Sequence, residues 1–496
     1  MTSRHRLRCA AAVLALAMAS GLAATPAHAQ GTATQQLLQR LHEKGILTDE
    51  EYAQIMAETN AAPAAPAMAA AAPAPAPAAA VDTNGEPVDT SRFVKMTDSG
   101  IGLEVGPATI KFSGSINAFY VHDNPQTPGA NTTVVGGLAQ VADTNSNSVR
   151  NGLLPGFLLI DVTTQQAGLD IGAHFGMYPG INSANWGPLG ANNGGQPTAL
   201  ATPGIDFRQV YLTIGGSFGT LKMGRDIGLY ASEAILNDIS LLAVGPTGGN
   251  VAPANTSLGR IGSGYIYTDF QPQITYTTPN FSGFQLSAGV FQPLQSLTAP
   301  DQTNTSPAFQ GKLTYDQTFG DVALRLWSSG VTQRHTTIGA GTGGLVSYTG
   351  QGLDVGGKVT AGPFTGVANW YTGKGLGTTV LNLFDTDALG NARSSDGFYV
   401  QGLGTFGKFS IGASYGVSNL GTTANDALVT MGDDGMLRGA ILDGLVRRNS
   451  SIIGQVRYNL TSWVTMLTEY TKTRSKAHNG NEAESDSLAL GAILFF

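Results

Sequence analysis

The sequence predicts an all-β fold, a transmembrane antiparallel β-barrel of about 16 strands, on three observations. Only 12% of the 496 residues are charged, against about 25% in ordinary soluble domains, and 66 residues are glycine. The chain begins with an export signal, and no later stretch reads as a membrane-spanning helix. The last eleven residues, 486–496, alternate apolar with smaller or more polar side chains and end on an aromatic residue. A closed barrel is the fold that lets such a chain cross a bilayer with every backbone group paired.

Residues 1–29 have the parts of a secretory signal: a basic start, an apolar run over 10–24 and an A-x-A cleavage site at 27–29. The mature chain is expected to begin at Gln30 and to leave the cytoplasm. The only cysteine, Cys9, lies in the discarded segment, which excludes disulfides and thiol chemistry from the mature chain. Removing three arginines changes the formal net charge from −7 to −10 (−7 − 3), which argues against a nucleic-acid partner.

A short helical, coiled-coil-like segment is predicted over 30–60, followed by an Ala/Pro-rich linker over 61–92. Gly45 ends the first helix, and the capping box at 48–51 starts the second. A helical hairpin this small cannot bury its apolar stripe alone. We expect it to lie in the periplasm and to self-associate between subunits or pack on a partner; a frayed, solvated segment is the alternative.

The barrel is predicted over 93–496, because from about residue 110 the pattern changes to a period of two. An even count of about 16 is typical of bacterial single-chain barrels, with 18 as the rival count. The predicted strand pairs are 110–122 with 156–168, 169–178 with 206–216, 219–226 with 265–278, 283–293 with 307–319, 320–334 with 352–362, 364–376 with 394–407, 408–420 with 449–461, and 462–474 with 484–496.

The connections alternate between short turns and long loops. The turns, such as those at 320–321 and 407–408, are short, whereas the loops on the other side are long and rich in Asn, Gly, Thr and Pro. Outer-membrane barrels have this asymmetry, with turns in the periplasm and loops outside, whereas a soluble all-β array seldom keeps it. The long loops are predicted at 123–155, 179–205, 227–264 and 421–448.

Three stretches resemble general bacterial porins, which are trimeric barrels of the Gram-negative outer membrane. The hairpin over 206–226 contains F-R-Q-V-Y, a turn at F-G and a G-R pair, and 276–284 reads Y-T-T-P-N-F-S-G-F. The terminal Phe496 is similar to the aromatic end that the barrel-assembly machinery of these proteins recognises. The stretch over 44–52 resembles the amino-terminal segment of some phosphate-selective porins, which leaves the subfamily open. The resemblance implies a homotrimer in contact with outer-membrane lipid and lipopolysaccharide.

The resemblance also implies that the third extracellular loop, 227–264 in this chain, folds inward and narrows the lumen. Its first half, 229–242, is expected to pack apolar side chains on the wall, which leaves Glu233 and Asp238 to face the pore. Arg260 is expected to anchor the return path. The alternative is a loop lying over the mouth with solvated acids.

Alternation sorts the charged wall residues, because a charge on the lipid face near the midplane costs about 2–4 kcal/mol. The resemblance places Arg225 at the narrowest point, whereas alternation turns it outward unless a bulge occurs at Gly224. Many of these charges are expected to be merely solvated. The basic residues sorted inward are Lys111, Lys312, Arg325, Lys358 and Arg457, and the acidic ones are Asp161, Asp170, Asp316, Asp354 and Glu469.

The predicted function is an outer-membrane porin for passive diffusion of ions and small hydrophilic solutes, with its charge selectivity open. The alternatives are an anion- or phosphate-selective porin and a plugged surface-binding barrel. An enzyme is not expected, since the histidines are scattered and no G-x-S-x-G elbow occurs. The G-x-G-x-x-G at 339–344 lacks a following helix, so no cofactor or metal is expected.

Aromatic residues near strand ends are expected to form girdles at the two membrane interfaces. They are Tyr120, Tyr178, Trp327, Trp370, Tyr371, Tyr415, Tyr458, Trp463 and Tyr470.

Overall fold

The structure is a computed structural model. It describes residues 94–96, 100–181, 205–247, 256–297, 305–338, 345–387, 389–427, 430–431, 437–438 and 444–496. The predicted signal, helical segment and linker over 1–92 lie outside these residues, as does the glycine-rich motif at 339–344.

Strands make up almost all of the regular structure. In chain order they are β1 Val94–Met96, β2 Ile101–Val105, β3 Ala108–Asn124, β4 Ser146–Arg150, β5 Phe157–Gln166, β6 Leu169–Pro179, β7 Ile205–Gly216, β8 Gly219–Ile227, β9 Phe270–Thr277, β10 Phe284–Phe291, β11 Ala308–Phe319, β12 Val322–Ile338, β13 Leu345–Ala361, β14 Phe364–Lys374, β15 Ser394–Phe406, β16 Phe409–Leu420, β17 Thr430–Met431, β18 Leu437–Arg438, β19 Val446–Asn459, β20 Val464–Ala477 and β21 Glu482–Phe495. The described helices are α1 Ser232–Leu236 and two 3₁₀ turns, Ile239–Leu242 and Ala424–Ala427.

Sixteen strands of the described chain, all except β1, β2, β4, β17 and β18, form a closed antiparallel barrel. Each pairs with its neighbours in sequence, and β21 closes the barrel on β3, from Phe495 opposite Ser115 to Asp486 opposite Asn124. Closure leaves no sheet edge to meet hydrocarbon. The prediction of 16 antiparallel strands is therefore confirmed, and the rival count of 18 is not observed.

The first barrel strand, β3, is longer than its neighbours and carries the three extra strands of the sheet. Its carboxy-terminal half pairs with β21 on one side and with β4 on the other. Its amino-terminal half pairs with β5 and with β2, which is in turn paired with β1. The hairpin of β1 and β2 therefore continues the sheet on the side of β3 where the pairing with β21 has ended.

Seven short turns join strands at one end of the barrel, which we call the turn end; the opposite end carries the long connections. Three two-residue turns begin with Gly320, Gly362 and Gly407, whose φ angles of 58°, 53° and 60° cost glycine little. The connection between β8 and β9, residues 228–269, is called L3; the structure describes its residues 228–247 and 256–269.

The largest differences from the predicted strand bounds occur at β9 and at the β12–β13 hairpin. The strand predicted from residue 265 begins at Phe270, because Tyr265, Ile266 and Tyr267 are buried against other loop and wall residues instead of pairing in the sheet. The β12–β13 hairpin extends further than predicted, to Ile338 and Leu345, because its alternation continues beyond the apolar band.

Burial alternates along the strands, with exposed apolar residues outside and polar residues inside. Tyr120, Trp463 and Tyr470 are exposed on the outer face, as expected for girdle residues. Tyr178, Trp327 and Tyr371 are buried on the inner face, at 7%, 2% and 0% exposure, so their assignment to the girdles is wrong. A period of two fixes which residues share a face but not which face meets lipid.

Candidate functional site

Loop L3 begins with two backbone contacts to lumen-facing side chains. The Tyr230 N–H donates to Gln310 Oε1 on β11 at 2.9 Å, and the Ala231 N–H donates to Ser329 Oγ on β12 at 2.9 Å. Ala231 has a φ of 52°, a left-handed conformation that is unfavourable for a residue other than glycine. The contact to Ser329 stabilises this strained entry into α1.

Glu233 in α1 joins two basic wall residues. Its carboxylate accepts from Lys312 Nζ at 3.1 Å and from Arg325 Nε and Nη2, each at 3.0 Å. Arg325 also donates to both oxygens of Asp316 at 2.7 Å. Glu233 is 2% exposed, so it is desolvated and paired instead of facing water as the sequence predicted. A buried carboxylate is tolerated here because two cations neutralise it.

Asp238 is fully buried within L3 and also does not face water. It accepts from the Ser240 N–H at 2.9 Å and from the Tyr265 hydroxyl at 3.0 Å, which ties the outgoing half of the loop to the returning half. Arg260 lies beside it, with Nε 3.9 Å from Asp238 Oδ1, and donates to Ser451 Oγ on β19 at 3.1 Å. These contacts support the expectation that Arg260 anchors the return path.

The middle of L3, residues 239–245, is held by side chains of β19 and β20. Arg457 Nη2 donates to the Ile239 carbonyl at 2.8 Å. Glu469 Oε1 accepts from the backbone N–H groups of Val244 at 3.0 Å and Gly245 at 2.6 Å. One carboxylate oxygen thereby satisfies two loop amides that no regular structure pairs.

Apolar packing adds to these polar contacts. L3 contributes Ile235, Ile261 and Tyr265 to a buried cluster against inward residues of β12, β14 and β15. Tyr399 on β15 belongs to the same cluster, and its hydroxyl donates to the Ala234 carbonyl at 2.8 Å. Burial of such side chains stabilises the packed state by about 1.5–3 kcal/mol each.

The inner wall on β5–β8 carries a separate set of charged residues, which we call the free-wall cluster. His174 Nδ1 lies 2.5 Å from Asp161 Oδ1, and its ring stacks on Tyr211 at a centroid distance of 4.6 Å. Lys222 Nζ lies 5.0 Å from the centroid of the Tyr211 ring and donates to Asp226. The cluster comprises Asp161, His174, Tyr211, Lys222 and Asp226; among the described residues these five bond to one another and to other wall residues, not to L3.

We call Glu233, Lys312, Arg325 and Asp316 the Glu233 cluster. The remaining predicted site residues lie apart from this cluster or beside it. Lys358 is the cross-strand partner of Arg325 and is 6% exposed, and Lys111 is the cross-strand partner of Asp161. Arg225 pairs with Val210, which is exposed on the outer face.

The bulge considered at Gly224 is not observed, because pairing runs through it without a register shift although its φ is 135°. A lumen role for Arg225 stays a prediction that this pairing does not favour. Phe496 exchanges two backbone hydrogen bonds of 3.0 Å with Gly114, next to the seam.

Two of the long connections, the one between β14 and β15 and the one after β16, are hydrogen-bonded to each other. Arg393 donates to both oxygens of Asp426, at 2.7 and 3.0 Å. Asp387 accepts from the Thr423 hydroxyl at 2.5 Å and the Asn391 N–H at 2.8 Å. Burial favours the neutral form of Asp387, but the hydrogen bonds outweigh it and hold the pKa of this carboxyl below its usual range.

Two kinds of site are not found in the described part of the chain. No described helix is both long and apolar enough to cross a membrane. Within the same residues, no three His, Cys, Asp or Glu side chains are grouped so as to bind a metal ion.

Sequence reasoning found the charged partners but missed how they combine. The pairing of Glu233 with Lys312 and Arg325 joins residues far apart in sequence, and no local pattern signals it. Part of the free-wall cluster could have been predicted by aligning the strands, because Asp161, His174 and Tyr211 are cross-strand neighbours on β5, β6 and β7.

Comparison with known proteins gives one family and several similar structures. The model of the Gram-negative porin family matches residues 64–478. The outer membrane channel DcaP of Acinetobacter baumannii is 14% identical, with a TM-score of 0.55 over 81% of this chain and 99% of that one. An anion-selective porin from Comamonas acidovorans is 13% identical, with a TM-score of 0.51 over 78% of this chain and all of that one (100%). At these identities the likeness shows the fold. No curated protein sequence matches the chain.

Proposed function

Because the chain belongs to the Gram-negative porin family, we propose that its outer-membrane channel conducts ions and small hydrophilic solutes by passive diffusion and is narrowed by loop L3. The family and the fold are those of a channel and not of an enzyme. The observation that carries the narrowing is the set of contacts from L3 to lumen-facing residues of β11, β12, β15, β19 and β20.

The open passage is proposed to run along the part of the β5–β8 wall that carries the free-wall cluster, beside the place where Leu242 of L3 packs on Phe157 and Leu159 of β5. Support comes from the side-chain hydrogen bonds: those that hold L3 come from β11, β12, β15, β19 and β20, whereas the bonds of the free-wall cluster stay within the wall. The side chains of Asp161 and Lys222 keep 18% and 26% exposure, which fits residues that border water. In this proposal Lys111, the cross-strand partner of Asp161, borders the same passage.

In this proposal the Glu233 cluster shapes the constriction without presenting free charge. Glu233 neutralises part of the charge of Lys312 and Arg325, and Asp316 adds a second carboxylate. Arg457 and Asp238 act in the same way, by fixing the loop backbone. The arrangement gives little support to an anion- or phosphate-selective channel, which needs basic groups available to replace the hydration of the solute.

A homotrimer is the assembly proposed for the outer membrane, on the family relationship alone. Outer-membrane lipid and lipopolysaccharide then surround the apolar outer face. The terminal Phe496 is proposed to act earlier, as the signal read by the barrel-assembly machinery.

Cysteine modification tests where the passage runs, since the only natural cysteine, Cys9, lies in the predicted signal. Thr213 is on the inner face of β7 between His174 and Lys222, whereas its neighbour Leu212 is 41% exposed on the outer face. A negatively charged methanethiosulfonate reagent is expected to reduce the current through Thr213→Cys and not through Leu212→Cys. Equal currents before and after modification of Thr213→Cys, with labelling verified by mass, contradict the proposed passage.

A further inference from the structure

We infer that the connection between β3 and β4 forms a second narrowing element of the channel, at the end of the barrel that carries the long connections. We call residues 131–140 of this connection the strap. In outer-membrane barrels this end is the extracellular one, so the strap lies at the entrance. The inference rests on the proposed channel function, because it adds a second aperture in series with L3.

The strap belongs to a loop whose two ends are hydrogen-bonded to each other beside β3. The Gln126 N–H donates to the Gln140 carbonyl at 2.9 Å, and the Ala142 N–H donates to the Gln126 carbonyl at 3.0 Å. At the far end of the loop, a methyl group at Gly136 would lie 2.6 Å from a ring carbon of Phe384. The loop therefore extends as one compact unit from β3 to the connection between β14 and β15.

Inward side chains of the last three barrel strands hold the strap. Ser475 Oγ on β20 accepts from the Leu138 N–H at 2.8 Å, and Asn449 Oδ1 on β19 accepts from the same N–H at 3.1 Å. Ser485 Oγ on β21 accepts from the Gln140 N–H at 3.0 Å. Ser475 and Asn449 are 0% and 1% exposed. The strap therefore runs inside the rim of the barrel, from the first strand across the last three.

The strap and the middle of L3 lie at different levels of the same wall. On β20, Glu469 holds L3 whereas Ser475 holds the strap, six positions further from the turn end (475 − 469), or about 20 Å along the strand. On β19, Arg457 holds L3 and Asn449 holds the strap, in the same order. A solute that enters from outside therefore passes the strap before it reaches the middle of L3.

Two contacts join the strap to L3. Gln140 Nε2 donates to Thr247 Oγ1 at 2.6 Å. Leu138 is 6% exposed and belongs to the same buried cluster as Leu258 and Ile261 of L3. None of residues 131–140 is charged, so the strap excludes solutes by size and not through the charge of the lumen.

The test is polymer exclusion with the full-length protein in a planar bilayer, in which polyethylene glycols of increasing size are added to one side at a time. A polymer that enters the channel lowers its conductance, so the largest polymer with this effect measures the aperture on that side. Asn449→Ala combined with Ser475→Ala removes both side chains that bind the Leu138 N–H. We expect this variant to admit a larger polymer from the side of the long connections, and to keep the limit of the unmodified protein on the side of the turns.

Ser450→Ala is the matched control for this variant. Ser450 lies on β19 next to Asn449 and faces outward, because Asn449 and Ser451 on either side of it are buried on the inner face. The control is expected to leave both polymer limits unchanged.

A cysteine pair tests the position of the strap independently. A side-chain carbon added at Gly137 would lie 3.0 Å from Ser475 Cβ, and Cβ atoms joined through a disulfide are about 3.8 Å apart, so a small shift allows the bond. Oxidation of Gly137→Cys with Ser475→Cys in the folded barrel is expected to form a disulfide, whereas Gly137→Cys with Ser450→Cys is expected to form none. Reduction of the first pair is expected to raise the polymer limit on the side of the long connections, because this variant lacks the Ser475 hydroxyl that binds the strap.

Each outcome separates the strap from the proposed channel. Unchanged polymer limits in a folded protein with Asn449→Ala and Ser475→Ala overturn the strap as a narrowing element, while its current still supports the channel. If that protein does not fold, the cysteine pair decides, because the lack of a disulfide, or equal limits before and after reduction, overturns the inference. Absence of any current from the unmodified protein contradicts the channel itself.

Discussion

Buried carboxylates on the inner side of the barrel hold L3 in place and are not exposed to the lumen as free charges. Glu233, Asp238 and Glu469 are each almost fully buried, and each accepts several hydrogen bonds from basic groups, hydroxyls or backbone amides. A buried charge without such partners costs several kcal/mol, so the bonds account for the burial. The two acids in the loop, Glu233 and Asp238, therefore hold the loop in the conformation that is proposed to narrow the channel.

Glu469→Gln is predicted to weaken the hydrogen bonds that hold L3 at Val244 and Gly245. Glutamine keeps the size of the side chain but lacks the charge that strengthens the two bonds from Val244 and Gly245, which we expect to cost about 1–3 kcal/mol locally. Hydrogen–deuterium exchange at these two amides should become faster, and the open-channel current should become noisier. Glu484→Gln, in an exposed ion pair with Lys472, is the control. Equal exchange in both variants would contradict the assigned contact.

At the residue level, the sequence identified which charges face inward better than what they do there. Asp161, Asp316 and Glu469 all lie on the inner face, as alternation predicted. Their partners could not be predicted, because each bond depends on how far the loop reaches across the barrel. Arg225 shows the opposite case, in which family resemblance and alternation disagreed and the strand pairing follows alternation.

At the scale of elements, strands and turns were predictable, whereas the content of the barrel was not. Periodicity and turn glycines located all sixteen barrel strands, because each feature is local. The inward aromatic residues of β12, β14 and β15 belong to a cluster that exists only when L3 packs against them. Tyr265 to Tyr267 read as the start of a strand for the same reason, since a buried apolar loop has the composition of a buried strand.

Closure at the seam depends on a close approach between β3 and the chain terminus. A methyl group at Gly114 would lie 2.6 Å from a ring carbon of Phe496 and 2.8 Å from the Phe157 carbonyl oxygen. At Gly454, in contrast, a methyl group would meet nothing within 4 Å. Only the first glycine is required by its surroundings.

Gly114→Val is therefore predicted to reduce the yield of closed barrel strongly, because the terminal ring and the added side chain need the same space. Gly454→Val should fold like the unmodified protein. The measurement is the heat-modifiable mobility shift in detergent gel electrophoresis, which separates folded from unfolded barrels. Equal folded fractions for the two variants would remove the steric role of Gly114 and Phe496 at the seam.

At the scale of the whole molecule, closure accounts for the stability of the barrel, and L3 is the element proposed to narrow it. The barrel satisfies every strand edge by closure, which a protein in hydrocarbon requires. L3 fills part of the interior with an apolar cluster and paired charges, and the charged residues of the free-wall cluster bond within the β5–β8 wall. In the proposed function, solute passage depends on the residues of that wall.

The most direct test is single-channel conductance of the purified, detergent-extracted protein in a planar bilayer. A water-filled trimeric porin predicts stepwise openings in three equal sublevels. A reversal potential under a potassium chloride gradient would then give the preferred ion. A folded, heat-modifiable barrel that conducts no current would contradict the account, because L3 would then close the lumen completely, as in a plugged surface-binding barrel.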